Sequence, residues 1–203
     1  MIESELERFP NVEIVDNLIL VGEKHLCPES GRLASRICEG LDPVAFGVEN
    51  SPAYRQGKTS HITTRSGAIE YLEGYSSTRD VPLFYLDIPT EQFEESLLEA
   101  IPDDMTQFEA KQISNQFEDP IDDSGKVTYR SISAARERVR EQINEETYEF
   151  LYDEREEYIV KQLNWMRNEF SDPVVVAVGA FHVPALVKNL ESSTTSMSPK
   201  DLQ

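Results

Sequence analysis

The chain contains little cysteine and no long apolar run. Its 203 residues include two cysteines, Cys27 and Cys38. They do not form the C-x-x-C pair of a metal site, and a disulfide between them is not expected in an intracellular protein. No apolar run approaches the ~20 residues of a membrane helix, and the first residues lack the basic start and apolar core of a signal peptide. The sequence therefore predicts a cytoplasmic protein that is not bound to a membrane.

Basic residues are also scarce. Lysine and arginine together number 19 against 38 acidic residues, which gives a formal net charge of −19. Such a charge repels phosphate backbones and anionic headgroups, so we expect no nucleic-acid partner. The acids are scattered along the whole chain, and arginine outnumbers lysine by 12 to 7. This composition favours a halophilic protein, the alternative being an ordinary acidic cytosolic protein.

Histidine is also rare, with three residues in the chain. Two of them share one frame, in which a short apolar run closes on a glycine and reaches a histidine three residues later. Residues 18–22 lead to His25 in this way, and residues 174–179 lead to His182. Because each run resembles a buried strand, the frame delivers a histidine to the carboxyl end of a strand. His61 lies in a polar stretch and is interpreted as an exposed loop residue.

Short apolar runs alternate along the chain with segments of helical periodicity, which indicates an α/β fold. We predict strands over residues 12–21 (a pair that turns at Asp16-Asn17, or one bent strand), 44–48, 81–86 and 174–178, the last three buried. Predicted helices cover residues 28–39, about 66–75 and 184–190, and residues 131–170 form one long helix or two. This pattern predicts a single domain over residues 1–191, with a mostly parallel central sheet flanked by helices and a largely helical middle section. Residues 192–203 are predicted to be a flexible polar tail.

Four polar side chains follow the predicted strands directly: His25, Glu49, Asp87 and His182. The carboxyl ends of parallel strands meet at one edge of a sheet, where open α/β sheets bind their ligands. Two imidazoles and two carboxylates suit a catalytic divalent ion, and Mn²⁺, Co²⁺ and Zn²⁺ are all compatible with them. The alternative is that the histidines cap strand ends or bond to the backbone. We interpret the repeated frame as a metal site.

Two further residues are candidates for catalysis. Arg155 lies in a charged helical stretch and is able to clamp a substrate or stabilise an oxyanion, although an arginine there is more often half of a surface ion pair. Tyr158 is able to donate a hydrogen bond or a proton, although packing on a helix face is the commoner role of such a tyrosine.

The motifs resemble those of the TraB family, the pheromone-shutdown proteins related to the Tiki metalloproteases and the bacterial GumN proteins. The similarity rests on Leu-Val-Gly-Glu-Lys-His over residues 20–25, Val-Ala-Phe-Gly-Val-Glu over 44–49, Glu-Arg-Glu-Glu-Tyr over 154–158 and Val-Ala-Val-Gly-Ala-Phe-His-Val-Pro over 176–184. It implies an erythromycin-esterase or ChaN-like fold and metal-dependent peptide hydrolysis. It also implies that the motif residues are His25, Glu49, His182 and Arg155.

Three departures from the family pattern stand out. Glu156 occupies a position where aspartate is more usual, Phe181 replaces a small residue before His182, and the carboxy-terminal membrane region of many TraB proteins is absent. Phe181 is expected to narrow the pocket. The absent membrane region weakens the case for a role at a cell surface.

These observations lead to one main hypothesis and two alternatives. The main hypothesis is a divalent-metal-dependent hydrolase that acts on peptide or amide bonds, with His25 and His182 as ligands and Glu49 as ligand or general base. The alternatives are a binding module that holds a small ligand or signalling peptide without turnover, and a metal-independent esterase with a histidine base. The partner is therefore a peptide or small-molecule substrate, and a homodimer that closes the crevice is an open alternative.

Overall fold

The central element of the protein is a five-stranded sheet in the order β1-β2-β5-β3-β4. A computed structural model describes residues 12–23, 28–50, 67–110 and 129–196. Strands β2, β5, β3 and β4 run parallel, and β1 pairs with β2 in the antiparallel direction. The predicted α/β class with a mostly parallel sheet is therefore confirmed. The strands are β1 (Val12–Val15), β2 (Leu18–Glu23), β3 (Ala45–Val48), β4 (Leu83–Tyr85) and β5 (Val174–Gly179).

A tight hairpin joins the first two strands, as one of the two sequence interpretations predicted. Val15 pairs with Leu18 across a turn formed by Asp16 and Asn17. Asp16 has a φ of 55°, in the left-handed region that aspartate tolerates better than most residues. The side-chain amide of Asn17 donates to the Phe170 carbonyl at 2.6 Å, which ties the hairpin to the rest of the domain.

Helices cover both faces of the sheet. Ile19, Val21 and their neighbours pack on one face against α1 (Pro28–Leu41) and α2 (Ala68–Arg79). Leu18 and Leu20 point to the other face and pack against α6 (Arg155–Glu169) and α7 (Val183–Ser196). Since alternate residues are buried on opposite faces, the strands appear in the sequence as continuous apolar runs.

A helical section adjoins the carboxyl edge of the sheet. Its apolar cluster includes Ile88, just beyond β4, and Phe181, just beyond β5. The section therefore lies over the sites where the strands end. It comprises α3 (Thr90–Ala100), α4 (Tyr129–Arg140), α5 (Glu145–Tyr148) and a π-helical segment (Glu149–Glu154) that continues into α6.

The long helical stretch that the sequence left as one helix or two is interrupted between Arg140 and Glu145. Asn144 begins the second helix, where its side chain accepts a hydrogen bond from the Thr147 amide at 3.2 Å. This is ordinary N-terminal capping. The Asn144 side chain also donates to the Ala100 carbonyl, which fastens the break to the end of α3.

Several predicted boundaries are wrong. Helix α2 was expected to end at residue 75, but it continues to Arg79. The hydroxyls that favoured a break bond within the helix, with Ser77 donating to the Glu73 carbonyl. The strand expected over residues 81–86 as buried is shorter and half-buried, since β4 lies at the edge of the sheet. Helix α1 passes the predicted stop at Gly40 to reach Leu41, and α7 continues beyond Leu190 to Ser196.

Within the four described ranges, no helix is both long and apolar enough to cross a bilayer.

Candidate functional site

The sheet order brings polar residues together along its carboxyl edge. Strand β5 lies between β2 and β3, although β2 and β3 are separated in the chain only by α1. The loop after β5 therefore lies between the ends of its two neighbours. In spatial order, the strand ends carry Glu23, His182, Glu49 and Asp87. Such an edge is where open α/β sheets place their ligand crevice.

His182 is buried, and each of its ring nitrogens faces a carboxylate. Nδ1 lies 2.8 Å from Glu156 Oε1, and Nε2 lies 3.3 Å from Glu49 Oε1. The His182 carbonyl accepts from the amides of Ala185 and Leu186, so the residue also begins α7. The turn from β5 into this helix thus fixes the backbone beneath the ring.

The two carboxylates keep the imidazole protonated. Burial by itself lowers the pKa of His182, but the charge of Glu49 and the hydrogen bonds to Glu156 and Glu49 outweigh burial and raise the pKa from 6.5 to about 10. His182 is therefore an imidazolium at neutral pH in the metal-free protein.

Glu49 links the end of β3 to β5. It follows β3, and its amide donates to the Ala177 carbonyl of β5 at 2.9 Å. Its Oε2 accepts from the Gly179 amide at 2.6 Å, and its Oε1 accepts from Arg155 Nη2 at 3.0 Å. The buried carboxylate is therefore held by a backbone donor and a cation as well as by His182.

Arg155 joins Glu49 to Asp87. Its Nε and Nη2 donate to the two carboxylate oxygens of Asp87 at 3.1 and 2.8 Å. The ring of Phe93, from α3, lies 5.4 Å from the guanidinium carbon. The structure thus places Asp87 beside Glu49, as the sequence predicted, but its oxygens bind Arg155. Arg155 in turn has its charge matched by two carboxylates.

Two residues that the sequence analysis did not select complete the cluster. Glu156 bonds to His182, and Arg136 of α4 forms an ion pair with the same Glu156 oxygen. In the sequence, Glu156 stood out only as a departure from a family pattern. Arg136 carried no signal, because an arginine on a helix face is usually exposed.

We call these six residues the ion network. In order of contact they are Arg136, Glu156, His182, Glu49, Arg155 and Asp87. Cations and carboxylates alternate along it, so each charge has partners of opposite sign and the three positive charges balance the three negative ones. A balanced network limits the cost of burying charge, which is high for isolated ions.

Glu23 is the third buried acid at this edge, after Glu49 and Glu156. The sequence did not single it out. Its Oε2 accepts from the amides of Ala68 and Ile69 at 2.5 and 3.1 Å. These are the first amides of α2, and Gly67 before them has no side chain to cap the helix. Glu23 therefore anchors α2 to the end of β2.

Three residues that the sequence analysis discussed, His25, His61 and Tyr158, do not belong to the ion network as described. His25 and the loop residue His61 lie outside the described residues. Tyr158 is half-buried and packs against the apolar cluster of the helical section. Across the part of the chain that the structure describes, no three His, Cys, Asp or Glu residues form a group that could hold a metal ion.

No protein-family model matches the chain, and no curated protein is significantly similar to it.

Proposed function

We propose that this chain is a TraB-like hydrolase that cleaves a peptide or amide bond with the help of a divalent metal ion. The observation that carries the proposal is the position of His182, whose Nε2 lies 3.3 Å from Glu49 Oε1 at the centre of the carboxyl edge. His182 and Glu49 are also the residues that the family resemblance selects.

The spacing of these two atoms suits a shared ion. Two donor atoms about 2.1 Å from one tetrahedral ion lie roughly 3.4 Å apart. The separation of Nε2 and Oε1 is close to that value. An ion bound between the two atoms would replace the Nε2 proton, since a histidine nitrogen binds a metal only when it is deprotonated. Mn²⁺, Co²⁺ and Zn²⁺ all accept imidazole and carboxylate ligands.

The second nitrogen of His182 supports the same interpretation. Histidines that bind a metal usually donate their other ring N–H to a carboxylate, which fixes the tautomer and the ring. In this protein, Glu156 Oε1 lies 2.8 Å from Nδ1, the second ring nitrogen of His182. Glu156 is therefore assigned to orient His182.

The described residues supply two ligands, and the proposal needs a third. Catalytic sites of this kind use three protein ligands and leave one position for water. His25 follows Glu23, the last residue of β2, by two positions in the chain. We assign the third position to His25.

A bound divalent ion would lower the pKa of a water molecule and polarise the substrate carbonyl. The chain's own residues hold the ligands in place. Arg155 and the Gly179 amide fix the Glu49 carboxylate, and Asp87 balances the charge of Arg155. Tyr158 has no role in the proposed centre.

A metal-independent hydrolase is the second candidate, and one observation favours it. With a pKa near 10, His182 is charged at neutral pH, and its two nitrogens already lie against carboxylates. An imidazolium is able to donate a proton to a leaving group but cannot act as a base, so this candidate differs from the esterase with a histidine base that the sequence suggested. In this version Glu49 would accept the proton from water.

The experiment that tests the proposal begins with chelated protein. Adding Mn²⁺, Co²⁺ or Zn²⁺ separately should raise the melting temperature, with one ion bound per chain. His182→Asn and Glu49→Gln should each abolish the rise, whereas Glu157→Gln, an exposed neighbour of Glu156, should leave it unchanged. Failure of all three ions to bind would overturn the proposal of a metal-dependent hydrolase.

Turnover is tested separately with a mixed peptide library. Wild-type protein should cleave members of the library, and Glu49→Gln should reduce cleavage at least a hundredfold. Cleavage that persists in chelator would favour the metal-independent candidate. Binding of a peptide without cleavage, unchanged by added metal, would instead support the binding-module alternative.

A further inference from the structure

Arg136 is the one member of the ion network contributed by α4, a separate helix of the helical section. It is largely buried, with 18% of its side chain exposed, and it pairs with Glu156, of which 3% is exposed. That same carboxylate oxygen accepts the hydrogen bond from His182 Nδ1. Glu156 thus lies directly between the arginine and the imidazole.

The Arg136 guanidinium also touches the two rings that flank His182. Its central carbon lies 5.3 Å from the ring centre of Tyr152 and 5.5 Å from that of Phe181. Tyr152 in turn packs at 6.0 Å from the imidazole, and Phe181 precedes His182 in the chain. Arginine stacks on aromatic faces and binds carboxylates at the same time, whereas lysine does so poorly.

One feature of Arg136 lowers the stability of the folded protein. Its Nε is buried and, within the described residues, has no hydrogen-bond partner. A buried donor without a partner costs free energy, so its presence in a native structure calls for a reason. The reason offered by the geometry is the position of the guanidinium between Glu156 and the two rings.

We propose that Arg136 is a positioning residue that holds the His182 ring through Glu156 and thereby couples the helical section to the candidate site. The inference rests on the proposed function for its catalytic meaning. It assigns Phe181, the departure from the family pattern, to the surface on which Arg136 stacks. Arg136 does not contact the reacting atoms.

The test observes the imidazole itself in metal-free protein. The proton on His182 Nδ1 should give a downfield resonance in NMR spectra that is protected from exchange with water. The chain has three histidines, so His182→Asn identifies the signal. In Arg136→Gln the resonance should move upfield or be lost to exchange. Arg138→Gln, a change at an exposed residue of the same helix, should preserve it.

Two more variants keep the test decisive. Arg136→Lys should restore part of the resonance, because lysine keeps the charge but loses the planar fork. Arg136→Met keeps an apolar stem against the rings and should lose the signal, and it replaces the glutamine variant if that variant does not fold. A folded variant without Arg136 that keeps the wild-type resonance would overturn the proposal, even if it melts at a lower temperature.

Hydrolysis gives an independent readout. If the proposed function holds, Arg136→Gln should lower kcat at least tenfold and leave KM within twofold, since it disturbs the catalytic ring and not the substrate. A changed resonance in a protein that hydrolyses nothing would uphold the positioning role and reject the hydrolase. An unchanged resonance in Arg136→Gln, when the wild-type protein is an active hydrolase, would reject the positioning role and uphold the hydrolase.

Discussion

His182 and Glu156 are joined by a 2.8 Å contact between Nδ1 and Oε1, although 26 positions separate them in the chain. The contact connects the loop after β5 to the beginning of α6. It also makes Glu156 the point at which the sheet edge and the helical section meet, since Arg136 binds the same oxygen. The pair therefore has consequences for stability as well as for chemistry.

The protonation of His182 predicts how stability depends on pH. Its pKa is about 10 in the folded protein and 6.5 for an ordinary histidine. The folded state therefore binds the proton more tightly, and the resulting stability is complete below pH 6.5 and is lost as the pH rises through 10. Thermal melts of metal-free wild type should decline over this window more steeply than those of His182→Gln. Melting temperatures that decline in parallel in the two proteins would contradict the raised pKa of His182.

Replacing Glu156 by glutamine should be strongly destabilising. The change leaves Arg136 and His182 without the carboxylate that they share, and breaking a buried ion pair costs about 3–5 kcal/mol. Urea denaturation measures the loss. Glu157→Gln is the matched control, because Glu157 is adjacent and exposed, and it should change the free energy of unfolding by less than about 0.5 kcal/mol. Equal effects of the two changes would refute the importance of the buried pair.

Glu23 should control the start of α2. Its carboxylate accepts from the amides of Ala68 and Ile69, so Glu23→Ala should cost about 1–2 kcal/mol, as the loss of a helix cap does. Hydrogen exchange of these two amides should accelerate most. For comparison, Glu91→Ala removes an exposed acid from the first turn of α3 and should cost a few tenths of a kcal/mol. Unchanged exchange at residues 68 and 69 would mean that the cap is unimportant.

Gly22 should not accept a side chain. A Cβ at this position would lie 3.2 Å from Ala180 Cα and 3.1 Å from Val183 Cγ2, where β2 approaches the loop after β5. Gly22→Ala should therefore destabilise the protein by about 1–3 kcal/mol. Gly40→Ala, at an exposed position of α1, should instead stabilise it by about 0.5–1 kcal/mol. Denaturant melts of both variants check the opposite signs, and a neutral Gly22→Ala would show that the loop can move away.

The sequence predicted much of the sheet because its signals are local. Apolar runs that end at Gly22, Glu49 and Gly179 mark three strands, and Asp16-Asn17 marks the hairpin. Boundaries were less certain where a residue type has two uses. Serine and threonine near residue 77 resemble a break in a sequence, but within α2 their hydroxyls bond to carbonyls of the same helix.

The candidate site was predictable only where strands deliver its residues. Glu49, Asp87 and His182 follow strands, so their common edge followed from the α/β pattern. Glu156 and Arg136 come from helices, and their partners depend on how those helices pack. Helical periodicity predicts a buried face but gives no information on which charged residue finds a partner across it.

The sequence by itself determined which segments become strands and which polar residues stand at their carboxyl ends, because side-chain periodicity and turn chemistry act over a few residues. The tertiary structure decided that β5 lies between β2 and β3, and so that His182 lies beside Glu49. It also decided that Asp87 binds Arg155 and that Arg136 reaches Glu156. Charges separated widely in the chain acquire partners only when the surrounding apolar surfaces have packed, since burial makes an ion costly until its counterion is in place.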